Sequence, residues 1–150
     1  MVTGDISIRK LSAGDKECWA PLWAAYLDFY ETTGSEEIFS TTFSRLVNDD
    51  FDACEGYMAF ADGNAAGIVH CLYHVHLWQE EKTCYLQDLY VDKRYRRIGI
   101  AGKLIQQIYA RSDEKGAKGV YWMTQDFNSN ARKLYDEIGV KTPFIKYTRS

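Results

Sequence analysis

The chain has 150 residues, the length of one globular domain, since such domains mostly have roughly 100–200 residues. Apolar residues make up 46% of it and charged residues 26%, and 11 Tyr, 7 Phe and 4 Trp can fill a core, which excludes a disordered chain. No apolar run approaches the roughly 18 residues of a membrane helix, no charged-then-apolar leader opens the chain, and the four cysteines lack disulfide-framework spacing. We therefore expect one domain, residues 1–150, in the reducing cytoplasm and without a membrane partner.

The net charge of −3 conceals an asymmetry between the two halves of the chain. Residues 1–80 carry 4 basic and 13 acidic side chains, or −9, whereas residues 81–150 carry 14 basic and 8 acidic ones, or +6. Separated charge of this kind favours a cationic ligand near the first half and an anionic ligand near the second. A chance distribution of surface charge is the alternative interpretation.

Hydrophobic periodicity predicts the elements in chain order. Six strands are predicted, over 6–11, 56–61, 66–73, 83–91, 120–124 and 144–148. Four helices are predicted, from about Cys18 to Tyr30 with Pro21 in the first turn or at a kink, then over 39–47, 99–115 and 128–138. Asp62-Gly63-Asn64 between the second and third strands is typical of a hairpin turn. This order predicts a mixed α/β fold with an antiparallel meander and at least one parallel crossover, covered by helices.

The stretch from Leu89 to Leu104 carries the clearest chemical signal. A hydrophobic strand runs into a basic turn, and Gly99, Ala101 and Gly102 leave the backbone amides unshielded at the start of the next helix. Free N–H groups and the positive end of the helix dipole make an anion site there, and a pyrophosphate fits it. The surrounding cations are Lys93, Arg94, Arg96, Arg97 and Lys103. The pattern is neither a Walker loop nor a Rossmann fingerprint, and a basic turn without a ligand is the alternative.

Two motifs in this second half resemble one known family. Arg96-Arg97-Ile98-Gly99-Ile100-Ala101 fits the Q/R-x-x-G-x-G/A signature, and Asn128 to Tyr135 fits N-x-x-A-x-x-L-Y. The chain thus resembles the GCN5-related N-acetyltransferases, and within them the yeast histone and polyamine acetyltransferase branch. The resemblance implies a central mixed, mostly antiparallel sheet of about six to seven strands flanked by about four helices. It also implies acetyl-CoA as co-substrate, no metal, and a homodimer.

The resemblance further assigns roles to residues. Tyr135 would protonate the departing thiolate, which has a pKa of roughly 8.5 against about 10 for a phenol, and a core tyrosine is the alternative. Backbone groups of Leu89 and Val91 would hold the acetyl carbonyl and the pantetheine arm. The positions implied to bind acetyl-CoA are Leu89, Tyr90, Val91, Arg96, Arg97, Ile98, Gly99, Ile100, Ala101, Gly102, Lys103, Asn128, Ala131 and Tyr135.

The general base is open at this stage. The resemblance to the diamine branch implies a glutamate on the fourth strand as base, but that position is Gln87, whose neutral amide cannot accept a proton. The candidates are therefore Asp88 and His74. Strand alternation directs Asp88 to the face opposite Gln87. His70, His74 and His76 share one face of an unbroken strand, yet their spacing matches no known metal site, so no metal is expected.

The acceptor is expected between the acidic N-terminal helices and the strand ends, with Glu31, Trp78 and Gln87 as binding residues. Acidic and aromatic walls suit a polyamine, a lysine-like amino acid or a basic peptide such as a histone tail, although the carboxylates could also be a solvated face. A non-catalytic acyl-CoA sensor is the alternative function. Nucleic-acid binding through the basic turn is not expected, because the chain is acidic overall and carries no nucleic-acid motif.

Overall fold

The structure is a computed structural model that describes residues 5–150. The described part of the chain forms five strands: β1 Ile6–Lys10, β2 Cys54–Ala61, β3 Asn64–His74, β4 Thr83–Val91 and β5 Val120–Tyr121. It forms four α-helices: α1 Lys16–Phe29, α2 Glu36–Val47, α3 Ile100–Glu114 and α4 Ser129–Ile138. Short 3-10 turns precede α1 and follow β4. None of the helices in residues 5–150 is long and apolar enough to span a bilayer.

The five strands form one mixed sheet in the order β1-β2-β3-β4-β5. The first four strands pair antiparallel, and β5 pairs with β4 in parallel after the α3 crossover. At the tip of the β2–β3 hairpin, Asp62 and Gly63 have φ values of +51° and +87°, as a type I′ turn requires. The predicted mixed α/β fold, with its meander and parallel crossover, is confirmed.

Helices cover both faces of the sheet and divide the core into two clusters. On one face, α1 and α2 pack on the sheet with the buried side chains of Trp19, Leu22, Trp23, Phe43, Leu46, Met58 and Ile68. On the other face, α3 buries Leu104, Ile105 and Ile108 against Ala59 and Val69. Tyr135 and Leu134 of α4 pack at the margin of this second cluster. Helix α4 itself has no fully buried residue.

A bulge and a gap interrupt the regular pairing of β4. His70 pairs with Asp88 while Cys71 pairs with Leu86, which leaves Gln87 as the extra residue of a β-bulge. The parallel pairing of β4 with β5 covers two positions, and no pairing of the two strands is recorded beyond Tyr85. The carboxyl half of β4 therefore faces a gap, which we call the β4–β5 gap.

Two predicted strands differ from the structure. The fifth was expected to be buried over 120–124, but β5 ends at Tyr121, which is 40% exposed, as it is the edge of the sheet in the described residues. The sixth, over 144–148, is absent: residues 140–150 form no strand, and Phe144 and Tyr147 are more than 80% exposed. A strand needs a hydrogen-bonding neighbour, and this segment does not lie against its own sheet. The sheet therefore has five strands rather than six or seven.

The prediction that Pro21 lies in the first turn was wrong. Helix α1 starts at Lys16, two residues before the predicted start, because a 3-10 turn over Ala13–Asp15 leads into it. Pro21 therefore lies in the second turn, where it removes one backbone hydrogen bond to Glu17. Both residues are exposed, so water can satisfy the free carbonyl.

Candidate active site

The predicted anion site lies in the turn between β4 and α3. Arg97 and Gly99 adopt left-handed conformations, with φ values of +67° and +87°, and α3 starts directly afterwards at Ile100. The first backbone bond of the helix runs from the N–H of Lys103 to the carbonyl of Gly99. The amides of the three residues before Lys103 therefore have no acceptor within the helix and are available to an anion.

A cavity of about 470 Å³ continues from this turn along α3. Its lining residues are Gly99, Gly102, Lys103, Gln106, Gln107 and Ala110. The two glycines keep the backbone accessible, Lys103 supplies positive charge, and the glutamine amides supply donors and acceptors. The cavity fits a phosphorylated ligand whose phosphates lie at the helix N-terminus.

The cations of the basic turn have different partners. Arg94 forms an exposed ion pair with Asp92 at 3.0 Å. The Nε of Arg96 donates to the carbonyl of Val91 at 2.9 Å, and its guanidinium lies over the ring of Tyr90, 5.6 Å from the centroid. Arg97 forms no ion pair with any described residue and is exposed. The predicted positive charge is thus present, although Arg94 and Arg96 are held at the end of β4.

The peptide groups of Leu89 and Val91 point into the β4–β5 gap. The N–H of Asp92 donates to the carbonyl of Ala66, so by alternation the pairs Gly67–Val91 and Val69–Leu89 are non-hydrogen-bonded. Their N–H and C=O groups therefore face away from β3. Arg96 donates a hydrogen bond to the carbonyl of Val91. The backbone N–H of Val91 therefore remains the group of this residue that can bind a ligand oxygen.

Helix α4 holds Tyr135 beside the residue that follows β5. Its ring packs edge-on against Trp122, with the centroids 5.5 Å apart. Burial raises the pKa of Tyr135 to about 12, and the nearby Tyr30 adds to the effect. The hydroxyl makes no hydrogen bond to another described residue, so the phenol is protonated and free to donate. Asn128, at the N-terminus of α4, donates to the hydroxyl of Thr124 at 3.3 Å, and Ala131 is half-buried on the same helix.

On the opposite side of β4, Asp88 is buried in a polar network. Its Oδ2 accepts from Trp23 Nε1 at 3.2 Å and contacts His70 Nδ1 at 2.8 Å. Trp19 Nε1 donates to the other ring nitrogen of His70 at 2.9 Å. Tyr26 also contacts Asp88, and burial together with that carboxylate raises the pKa of the phenol well above its usual value.

His74, the other candidate base, lies apart from this network. Its Nε2 is 2.9 Å from the hydroxyl of Tyr121 and its Nδ1 is 2.9 Å from the carbonyl of Val75. Tyr121 stacks on Tyr85, with ring centroids 4.8 Å apart. A second cavity, of about 420 Å³, lies beside His74 and is also lined by His76, Gln79, Thr83, Lys118, Gly119, Val120 and Tyr121.

The three predicted acceptor residues have different environments. Gln87 is exposed at the bulge, and its carbonyl accepts from the hydroxyl of Tyr26 at 3.3 Å. Glu31 is exposed just after α1, with a φ of +58°. Trp78 is 89% exposed in the β3–β4 loop, where its ring contacts His76.

Sequence reasoning missed the tyrosines that surround Asp88. Tyr26 and Tyr30 at the end of α1 pack edge to face, with centroids 5.2 Å apart, and both interact with Asp88. Tyr85 from β4 lies within electrostatic range of the same carboxylate. We call these three residues and Asp88 the acceptor cleft. Their helical and strand spacing indicated a core face, and only the fold shows that they converge.

The three histidines do not converge either. His70 is buried with Asp88, His74 binds Tyr121, and His76 contacts Trp78. Within residues 5–150, no three His, Cys, Asp or Glu side chains are arranged to hold a metal ion.

Comparison with known proteins identifies the class. Residues 19–140 match the Acetyltransferase (GNAT) family. The chain is 37% identical over 152 residues to the D-amino-acid N-acetyltransferase of Saccharomyces cerevisiae, covering 100% of this chain and 94% of the relative. It is 30% identical over 98 residues to the thialysine N-epsilon-acetyltransferase of Caenorhabditis elegans, covering 65% and 58% of the two chains. A solved aminoglycoside N-acetyltransferase in complex with CoA has the same fold, with a TM-score of 0.82 at 18% identity and coverages of 97% and 94%.

The fold and its matches are those of an acyl-group transferase. The chain belongs to the Acetyltransferase (GNAT) family, as the two sequence motifs indicated, and it is an acetyl-CoA-dependent N-acetyltransferase.

Proposed function

We propose that the enzyme transfers the acetyl group of acetyl-CoA to a primary amine of a small cationic molecule or amino acid by direct attack in a ternary complex. The proposal depends mainly on the β4–β5 gap, which has the anion site at the α3 N-terminus on one side and the acceptor cleft on the other. Donor and acceptor can therefore meet without a covalent enzyme intermediate.

The donor half of the proposal uses backbone groups. The pyrophosphate of acetyl-CoA binds the amides of Ile100, Ala101 and Gly102, and the nucleotide follows the cavity along α3. The N–H of Leu89 or Val91 binds the acetyl carbonyl oxygen and stabilises the negative charge that develops on it. Asn128 and Ala131 line the path of the pantetheine arm.

The acceptor half uses Asp88 as base and Tyr135 as acid. The ammonium gives one proton to Asp88, and the neutral nitrogen then attacks the thioester carbon. A C–N bond forms, the nitrogen releases its second proton to water, and the C–S bond breaks. The CoA thiolate takes the proton of Tyr135, which solvent restores. The products are the acetamide, CoA thiol and one proton.

His74 is the second candidate base, because its imidazole is more exposed than Asp88 and lies beside a cavity. The two assignments predict different variants to be inactive. Asp88→Asn should abolish turnover if Asp88 is the base, whereas His74→Gln should do so if His74 is.

Three observations support a cationic small acceptor. Residues 1–80, which supply α1 and α2, carry a charge of −9, and the acceptor cleft presents tyrosine faces that bind cations. Two relatives are named for acting on D-amino acids and on thialysine, both small amines. Glu31, Trp78 and Gln87 are the further binding residues we propose, and a basic peptide is the competing acceptor.

We also propose a homodimer and a cytoplasmic location. The exposed apolar side chains of residues 140–150 support association with a second copy. All four cysteines lie among the described residues and are free thiols, in keeping with a reducing compartment.

The testing experiment measures thiol release from acetyl-CoA across polyamines, lysine analogues, D- and L-amino acids and basic peptides. Amine-dependent release supports the proposal, and the ranking of kcat/KM identifies the acceptor. Tight acetyl-CoA binding by calorimetry without release from any acceptor would support the acyl-CoA sensor instead. Absence of both release and binding would overturn the donor site as well.

A further inference from the structure

We propose that His70 is a positioning residue for the acceptor half of the reaction: its imidazole, locked by Trp19, fixes the orientation of the Asp88 carboxylate, the proposed base. This inference rests on the proposed role of Asp88 as base. His70 and Trp19 are buried, at 4% and 0% exposed, so neither touches the acceptor, and their effect passes through Asp88.

The hydrogen bonds define where the protons of the network lie. An indole N–H can only donate, so His70 Nε2, 2.9 Å from Trp19 Nε1, must be the unprotonated nitrogen. The proton of the ring is then on Nδ1, which donates to Asp88 Oδ2 at 2.8 Å. His70 is therefore a neutral imidazole with one fixed tautomer and no free lone pair.

The same geometry places two donors on one carboxylate oxygen. The donors from His70 and Trp23 both end on Oδ2, and the side chain of Asp88 is 11% exposed. Two donors on one oxygen hold the carboxylate in one orientation. We assign Oδ1 as the oxygen that takes the proton of the acceptor.

The surroundings of the pair contain no competing cation among the described residues. The titratable groups that face it are Tyr26 and Tyr30 from α1 and Tyr85 from β4. Helix α2 contributes the apolar rings of Phe39 and Phe43, which pack on Trp19. The charge of Asp88 is therefore balanced by hydrogen-bond donors alone until a cationic acceptor arrives.

The experiment compares four variants of the full chain. Trp19→Phe removes the lock, His70→Leu removes both hydrogen bonds, and His70→Asn restores a donor at the position of Nδ1. Phe43→Leu is the matched control, since it disturbs the same core without touching a hydrogen bond of the network. For each variant, kcat, both KM values and Tm are measured.

We expect His70→Leu to lower kcat by about 100-fold with the KM for acetyl-CoA unchanged, because a general base contributes roughly 10²–10⁴ to rate. His70→Asn should recover at least about tenfold of that loss, and Trp19→Phe should lower kcat without changing the KM for acetyl-CoA. Phe43→Leu should lower Tm without changing kcat.

Two results would overturn the inference: no difference in kcat between His70→Leu and His70→Asn, or a kcat of Trp19→Phe equal to that of Phe43→Leu. If His70→Leu fails to fold, the comparison of Trp19→Phe with Phe43→Leu still decides it through kcat. Asp88→Asn separates the two proposals. An active Asp88→Asn enzyme removes the base assignment itself, whereas an inactive one combined with an unaffected His70→Leu removes only the role of His70.

Discussion

The hydroxyl of Tyr135 stays protonated throughout the pH range of an acetyltransferase assay, because burial raises its pKa to about 12. The acid form is lost only as pH rises through that value, so Tyr135 should not create a basic limb below about pH 10. We predict that Tyr135→Phe lowers kcat by about 100-fold at every pH from 6 to 10 and leaves the Kd of acetyl-CoA within about twofold. Initial rates of thiol release and calorimetry measure the two quantities.

Tyr109→Phe is the matched control for this prediction. Tyr109 is another half-buried phenol of the same layer, and its hydroxyl donates to the carbonyl of Ile138 at 2.8 Å. Its loss should cost about 1 kcal/mol of stability and little activity. Equal losses of turnover in the two variants, or a parallel loss of acetyl-CoA binding in Tyr135→Phe, would contradict the acid assignment.

The carboxylate of Asp15 contributes to the stability of the fold in a way that depends on pH. Both of its carboxylate oxygens accept from Arg9, at 2.7 and 2.8 Å, and the N–H of Ser12 donates to it at 2.8 Å. These donors lower the pKa of Asp15 from 3.8 to about 2. Because the folded pKa is the lower one, the stabilisation is complete above the unfolded value and is lost as pH falls towards 2.

We therefore predict that Asp15→Asn lowers the free energy of unfolding by about 1–2 kcal/mol at pH 7, a range reduced because Arg9 is half exposed. The difference between the two proteins should shrink between pH 4 and pH 2. Urea unfolding at pH 7, 4, 3 and 2 measures it. A difference that is constant over this range would show that the ion pair with Arg9 does not carry the effect.

At the scale of elements, the turn before α3 combines backbone conformation with charge. Gly99 has a φ of +87° and open space around its missing side chain, so a substitution there acts through strain and through what it places at the helix N-terminus. We predict that Gly99→Asp raises the Kd of acetyl-CoA at least about tenfold, because its carboxylate repels the pyrophosphate. Calorimetric titration with acetyl-CoA measures it.

Gly63→Asp provides the control, since Gly63 has the same φ of +87°, is equally open, and lies in the β2–β3 turn. It places the same strain and the same charge away from the helix N-terminus. Both variants should lose similar stability, but only Gly99→Asp should lose acetyl-CoA affinity. Unchanged binding in Gly99→Asp would refute the assignment of this turn to the donor.

Elements set by local patterns could be predicted from the sequence, and contacts set by register could not. Strand β4 was predicted over 83–91, as observed, because its apolar run is bounded by polar residues. Helix α4 ends at Ile138 as predicted, but the sequence did not show that a side chain at Gly139 would come within 2.8 Å of the ring of Trp122.

The candidate site also has one part that local sequence patterns predict and another part that they do not. The anion turn and Tyr135 follow from contiguous motifs, so the sequence alone indicated them. The pairing of His70 with Asp88 depends on the β3–β4 register and on the bulge at Gln87, which shifts every later residue of β4. Their contacts with Trp19 and Trp23 depend further on how α1 lies across the sheet. No periodicity in the sequence predicts these contacts.

At the scale of the whole molecule, the charge asymmetry coincides with the division of the proposed site. The acidic residues 1–80 supply α1, α2 and three strands, and α1 with its C-cap contributes Tyr26 and Tyr30 to the acceptor cleft. The basic residues 81–150 supply the anion turn, α3 and α4. Opposite fields on the two sides of the β4–β5 gap would attract an anionic donor and a cationic acceptor to separate openings. Added salt should therefore weaken the binding of both.

The edge of the sheet and the C-terminal segment carry the last prediction. Residues 140–150 expose Val140, Phe144, Ile145 and Tyr147, each at least 76% accessible, and β5 leaves the outer edge of the sheet without a partner in the described residues. An apolar extended segment and an open strand edge are complementary, and their association between two copies would bury both.

We predict a dimer of the intact chain by light scattering at micromolar concentration, with a Tm that rises with concentration. Deletion of residues 143–150 should give a monomer whose Tm does not depend on concentration, while Leu77→Ser, an equally exposed apolar position in the β3–β4 loop, should remain dimeric. A monomeric intact chain, or a dimer that survives the deletion, would show that the C-terminal segment does not join two copies.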